Sequence, residues 1–283
     1  MKSPVRDSAW PESWKQSHYF DQAEVFGQVS PEMRGYAYAY QARADNTFDM
    51  IRRAVPTGAR ILDVAAAQGN FTLRLAEAGY DVTWNDLREE LADYVRAKWE
   101  CGVVHYCAGN VLDLPAPIDK FDAVLIAEVI EHVAHPDQFL RRIATLVKPQ
   151  GVIIMTTPNG GYFRNRLPRF SDCPDPSLFE KDQFKPDSDG HIFLLHEDEL
   201  YRLAGQAGLC VAELRIFTNP LTQGHLKSGL LLPFLPRSLV NLVERVTVRT
   251  PPALRRKLHT HFAAVLRPAS SPGESLKPAS EGP

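Results

Sequence analysis

The 283-residue chain has no long apolar run. Its most apolar stretch, Leu230 to Leu235, is broken by Pro233, far short of the ~18 consecutive apolar residues that a membrane-spanning helix needs. The first residues, among them Trp10, Pro11, Glu12, Trp14 and His18, hold no apolar secretory core, so no signal peptide is expected. Cysteine is scarce. Cys101, Cys107, Cys173 and Cys210 form neither a CxxC pair nor a disulfide framework. Reduced, mostly buried thiols in the cytoplasm are the expectation. Charge of one sign is missing too: 32 Lys+Arg against 34 Asp+Glu leave a net −2. That balance excludes a chain basic throughout, as expected of a general nucleic-acid binder. No internal repeat is found, and the length suits one elaborated domain or two small ones.

What the chain does have is alternation. Residues 1–58 read as an aromatic-rich helical lead-in or lid. Arg60 to Val64 is a short apolar run of the kind that forms a strand buried on both faces. A small-residue turn, Ala65 to Asn70, precedes a helical stretch that Gly79 stops. Further strands are predicted at 81–84, 103–107, 121–127, 152–156, 211–217 and 261–266, with helices at 87–100, 136–147 and 197–207. Lys148 to Gly151 reads as a turn. This order predicts an α/β fold with a doubly wound, mostly parallel, seven-stranded sheet over 59–267. Two long connections, 158–196 and 221–259, interrupt it as insertions, and the Pro- and Ser-rich residues 268–283 are expected to be a disordered tail.

Such a sheet binds ligands beyond the carboxyl ends of its strands, where the strand order switches. Three features sit at such ends. The first is the turn after Asp63, with Ala65, Ala67 and Gly69, where small residues let a ligand approach the backbone and the next helix N-terminus. The second is Asp86, followed by Leu87, whose carboxylate can accept both hydroxyls of a ribose. The third is Asn110, followed by Val111, whose amide can read an adenine edge. The dinucleotide fingerprint GxGxxG is absent, so a nicotinamide cofactor is set aside.

The run Ile61 to Asn70 resembles motif I of class I S-adenosylmethionine (SAM) dependent methyltransferases. The acidic residue ending strand two, Gly109-Asn110 after strand three, Phe121-Asp122 opening strand four and Lys148-Pro149-Gln150-Gly151 match that family in order. The resemblance implies a class I Rossmann-like fold with SAM as cofactor, held by Asp63, Ala65, Ala67, Gly69, Asp86, Leu87, Asn110, Val111 and Glu128. One departure stands out: the first two glycines of the usual loop are Ala65 and Ala67. Alanine disfavours positive φ, so cofactor affinity falls if those positions require it.

Glu128-Val129-Ile130-Glu131-His132 closes the fourth strand. On a helical turn, positions three and four apart share a face, so Glu128, Glu131 and His132 would converge as ligands for a divalent metal such as Mg²⁺ or Mn²⁺. His191 is the expected fourth ligand. The string is similar to that of ubiquinone-biosynthesis O-methyltransferases and of small-RNA 2′-O-methyltransferases, which also carry the Thr157-Pro158-Asn159 string and a downstream histidine. The resemblance implies metal-assisted O-methylation, with His132 or His191 as proton acceptor. The plain alternative is a metal-free site in which Glu128 lines the SAM pocket and the histidine packs.

The two insertions differ in charge: residues 170–200 carry a net −7 and 221–267 a net +7. The basic segment fits a helical cap over the site, or peripheral membrane contact through 226–257. The acceptor expected is a small molecule with a hydroxyl, such as a catechol-like ring or a sugar. Nucleic acid is disfavoured by the acidic insertion. A non-catalytic SAM-binding or partner-binding subunit is the reading from a different class.

Overall fold

The computed structural model describes residues 1–114, 120–183 and 190–269. Most of the tail expected from 268 onward lies outside the described residues. Within them a seven-stranded sheet runs in the order β3-β2-β1-β4-β5-β7-β6. The strands are β1 (Arg60–Val64), β2 (Asp81–Asp86), β3 (Val103–Ala108), β4 (Phe121–Ala127), β5 (Val147–Pro158), β6 (Leu209–Phe217) and β7 (His261–Pro268). β1 to β5 pair in parallel, and β7 inserts antiparallel between β5 and β6.

Alternation along each buried strand divides its side chains between two cores. Leu62, Val64, Val124, Ile126, Ile153 and Met155 face one side, under α5 (Pro136–Leu146) and α6 (Glu197–Gln206). Ile61, Ala123, Leu125, Val152 and Ile154 face the other, under α2 (Arg34–Ala54) and α3 (Asn70–Glu77). With about 1.5–3 kcal/mol per buried aliphatic side chain, this two-sided burial fixes the strands' register. α4 (Leu91–Lys98) packs Leu91, Tyr94 and Val95 beside Trp84 of β2, under the short N-terminal helix region that starts with α1 (Glu12–Glu24).

Two sequence expectations are corrected here. The helix read from Leu87 begins at Leu91, because the carboxylate of Asp86 captures the Arg88 N–H and holds the intervening residues in a turn. The turn read at Lys148 to Gly151 belongs to β5: Phe121 pairs with Val147 and Ala123 with Val152, so these four residues form an irregularity inside the pairing. Between β6 and β7 the chain makes α7 (Pro220–Gln223), α8 (Arg237–Val248) and α9 (Pro252–Leu258), the helical cap.

Candidate functional site

Strand order reverses between β1 and β4, and the site gathers at their carboxyl ends. Leaving β1, the chain takes positive φ three times, at Ala65 (51°), Ala67 (48°) and Gly69 (72°). The two alanines thus adopt a glycine conformation, at about 1–2 kcal/mol each. Neighbouring bonds hold them there. The Ala66 N–H donates to the Asn85 carbonyl at 2.8 Å, and the Ala67 N–H to Asp86 Oδ2 at 2.8 Å. Trp84 Nε1 donates to the Ala67 carbonyl at 3.0 Å. At Gly69 an added Cβ would lie 2.7 Å from Val95 Cγ2, so packing as well as φ requires glycine.

Asp63 lies buried beneath this loop, accepting from Thr72 Oγ1 at 2.6 Å. Burial pushes its carboxyl up to about 7. Asp86 Oδ1 accepts from the Arg88 N–H at 2.9 Å and Arg88 Nε at 3.1 Å, with Leu87 exposed beside it. Asn110 uses its amide oxygen to cap the turn that begins at the buried Val111, accepting from Leu112 N at 3.0 Å. The expected cofactor residues therefore line the ends of β1, β2 and β3 together.

The lead-in contributes groups that the sequence reading missed. Asn70 Nδ2 donates to Asp21 Oδ1 and to Glu24 Oε2, both at 2.7 Å, and Gln68 Nε2 donates to Glu24 Oε2 at 3.0 Å. Two carboxylates of α1 thereby clamp the loop after β1. The only signal was their i, i+3 spacing, which solvated helix faces share.

Glu128 follows β4 with φ 57°. Its Oε2 lies 3.2 Å from Arg43 Nη1 and 3.5 Å from His261 Nε2. Burial alone would raise this carboxyl, but the charges of Arg43 and His261 outweigh it and hold the group well below the usual range. The left-handed residue also ends the helical spacing argument. The short turn Ile130–His132 starts only after it, so helical spacing does not carry from Glu128 to Glu131 and His132.

Those two residues do meet His191. The Ile192 N–H donates to the Glu131 carbonyl at 2.7 Å, which lays the end of the long insertion across the turn. The rings of His132 and His191 lie 4.9 Å apart, edge to face at 70°. One ligand atom each from Glu131, His132 and His191 fall within 4.8 Å of one another. Three of the four expected ligands thus converge, and Glu128 stands outside the set. The Glu131 side chain is fully buried; Thr157 Oγ1 donates to Oε2 at 2.9 Å, and Oε1 has no partner among the described residues. Burial first, then the Glu128 charge, pushes the Glu131 carboxyl well above its usual range. An orphaned buried carboxyl oxygen beside two imidazoles fits a divalent cation. A donor set of two nitrogens and one carboxylate suits Mn²⁺ or Zn²⁺ better than Mg²⁺.

Other polar residues in the region are structural ties. Asn159 Nδ2 donates to the carbonyls of Arg256 and His259, both at 2.7 Å, fastening β5 to the cap. Tyr162 OH lies 3.0 Å from His225 Nδ1, with the rings stacked. His135 pairs with Glu180, and His196 caps α6.

The methyltransferase-domain family matches residues 36–214. The chain belongs to that family. The methyltransferase is 40% identical over 110 residues to the ubiquinone biosynthesis O-methyltransferase of Xanthomonas axonopodis pv. citri (strain 306), which covers 38% of this chain and 46% of that protein. It therefore matches less than half the length of that relative. Against the ubiquinone biosynthesis O-methyltransferase of Bordetella avium (strain 197N) it is 32% identical over 177 residues, 61% of this chain and 71% of that one. An S-adenosylmethionine dependent methyltransferase from Mesorhizobium loti superposes with a TM-score of 0.53 at 15% identity, over 81% of this chain and 97% of that one. Family membership and sheet order together give the chain the class I methyltransferase fold.

Proposed function

We propose that the enzyme transfers the methyl group of SAM to a hydroxyl oxygen of a small molecule bearing two neighbouring hydroxyls, as on a catechol-like ring or a sugar. The observation that carries this reading is the convergence of Glu131, His132 and His191 at the end of β4. The names of the Xanthomonas and Bordetella relatives support oxygen as the accepting atom. A divalent cation held by these three residues would supply positive charge that lowers the pKa of a chelated hydroxyl. Thr157 fixes the Glu131 carboxyl by its hydrogen bond, so the donor set is oriented before a ligand arrives. Without a cation, His132 or His191 is the proton acceptor at the hydroxyl oxygen. Asp63, Ala65, Ala67, Gly69, Asp86, Leu87, Asn110 and Val111 cradle SAM on the β1–β3 side, while Arg43 and His261 hold Glu128 at its edge.

Four free cysteines support a reducing compartment, the cytoplasm. No described helix is long and apolar enough to cross a membrane. RNA is the weaker acceptor class, since residues 170–200, net −7, include His191 and would repel phosphate.

The test is a transfer screen with labelled SAM over phenolic, glycosidic and RNA acceptors, with and without Mn²⁺, Zn²⁺ and Mg²⁺. The expected result is labelling of a vicinal hydroxyl compound that Glu131→Ala or EDTA abolishes while SAM affinity is kept. Turnover indifferent to both would overturn the metal role. Preferred labelling of RNA would overturn the small-molecule acceptor, and absence of SAM binding by calorimetry would leave a partner-binding subunit.

A further inference from the structure

The tip of the cap carries apolar side chains that the fold does not cover. Phe234 is 83% exposed, Leu230 73% and Leu231 58%. α8 extends this surface: Leu239, Leu242 and Val246, spaced i, i+3, i+7, are exposed along one stripe, whereas Val240 on the inner side is fully buried. Six large apolar side chains left exposed within residues 230–246 mark an interaction surface rather than ordinary scatter.

The charges beside it are of one sign. Residues 221–259 contain seven Lys and Arg but a single acid, Glu244. That acid is turned inward, accepting from the Asn219 N–H at 2.9 Å, Asn219 Nδ2 at 2.8 Å and Thr222 Oγ1 at 2.7 Å. Arg245 and Arg249 are exposed and border the α8 stripe, and Lys227 and Arg237 flank the tip. The folded cap therefore leaves Leu230, Leu231, Phe234, Arg245 and Arg249 facing outward while the one anion serves as an internal tie.

We propose that this face docks on an anionic lipid bilayer, with Leu230, Leu231 and Phe234 entering the boundary between headgroups and acyl chains and the arginines facing lipid phosphates. Charge complementarity decides the occupant. A two-fold pairing of copies through this patch would set Arg245 and Arg249 against the same cations of the second chain. Single-stranded nucleic acid requires stacking aromatics along a basic groove, whereas here the exposed apolar residues are mainly aliphatic. Aliphatic anchors with a basic rim match an interfacial amphipathic element.

The experiment is flotation of the full chain with vesicles of phosphatidylglycerol and phosphatidylcholine, against phosphatidylcholine alone. The chain should float with the anionic vesicles, about tenfold more weakly with neutral ones, and less as salt is raised. Two independent variants, Leu230→Ser/Leu231→Ser/Phe234→Ser and Arg245→Gln/Arg249→Gln, should each lower vesicle binding by about tenfold while melting temperature and SAM affinity stay unchanged. Vesicle binding is read without turnover, so the result does not depend on which acceptor is methylated. Failure of the native chain to float, or flotation of both variants equal to that of the native chain, overturns the proposal. Concentration-dependent dimerisation that the triple variant abolishes, with no vesicle binding, assigns the face to a second copy instead.

Discussion

Lys98 Nζ lies 2.7 Å from Asp21 Oδ2, and neither side chain has measurable exposure. The pair joins α4 to α1 directly behind the loop after β1. Lys98 also donates to the Gln68 carbonyl and to Asn70 Oδ1, and Tyr94 OH donates to Asp21 at 2.8 Å. The lead-in is thereby part of the cofactor end of the sheet and not an appendage.

Removing one member of that pair should cost more than removing both. Lys98→Met leaves the Asp21 carboxylate buried without its cation and should destabilise the chain by about 3–5 kcal/mol. Lys98→Met combined with Asp21→Asn should recover most of the loss, because no charge is then stranded. Urea denaturation of the two single variants and the double variant gives the coupling directly. Equal destabilisation by single and double variants would contradict the argument.

Ala65 and Ala67 offer a different measurement. Each sits in the left-handed region, at φ 51° and 48°, and Ala→Gly releases about 1–2 kcal/mol of strain. Glycine returns about 0.4–1 kcal/mol of that to the unfolded chain as entropy. Ala65→Gly and Ala67→Gly should therefore leave stability unchanged or raise it by up to about 1.6 kcal/mol. Because the alanines already hold the glycine geometry, SAM affinity by calorimetry should change little. Ala67→Val, β-branched in a region such residues avoid, should destabilise clearly in the same assay.

Much of the sheet was legible because the strands are buried on both faces, so runs such as Ile61 to Val64 and Val124 to Ile126 carry no competing pattern. His191 could be named from the sequence as a ligand beside His132, but their contact could not be derived, since 58 residues lie between them and local spacing says nothing about it. What escaped was geometry set by single backbone angles and by tertiary charge. Nothing in Glu128-Val129-Ile130-Glu131 announces that Glu128 adopts φ 57° and turns toward Arg43 and His261. Asp21 and Glu24 likewise look like solvated helix charges until Asn70, Gln68 and Lys98 are packed against them.

The Asp63 carboxyl makes the stability of the ligand-free chain depend on pH. Burial raises it from the usual carboxylate range, about 3.9, to about 7 in the folded state. The folded chain therefore binds the extra proton between those values, and the slope of unfolding free energy with pH is negative there. Stability from this group is fully present below about pH 4, is lost as pH rises towards 7, and then levels off, a change on the order of 4 kcal/mol. Asp63→Asn keeps a neutral polar group in the same space and should remove this slope. Urea denaturation of the native chain and Asp63→Asn at several pH values from 4 to 8 provides the check, and the stability difference between them should change through that window and become constant above it. Parallel curves would mean that Asp63 is already ionised throughout and that the bond from Thr72 Oγ1, with help from the loop above, compensates its burial.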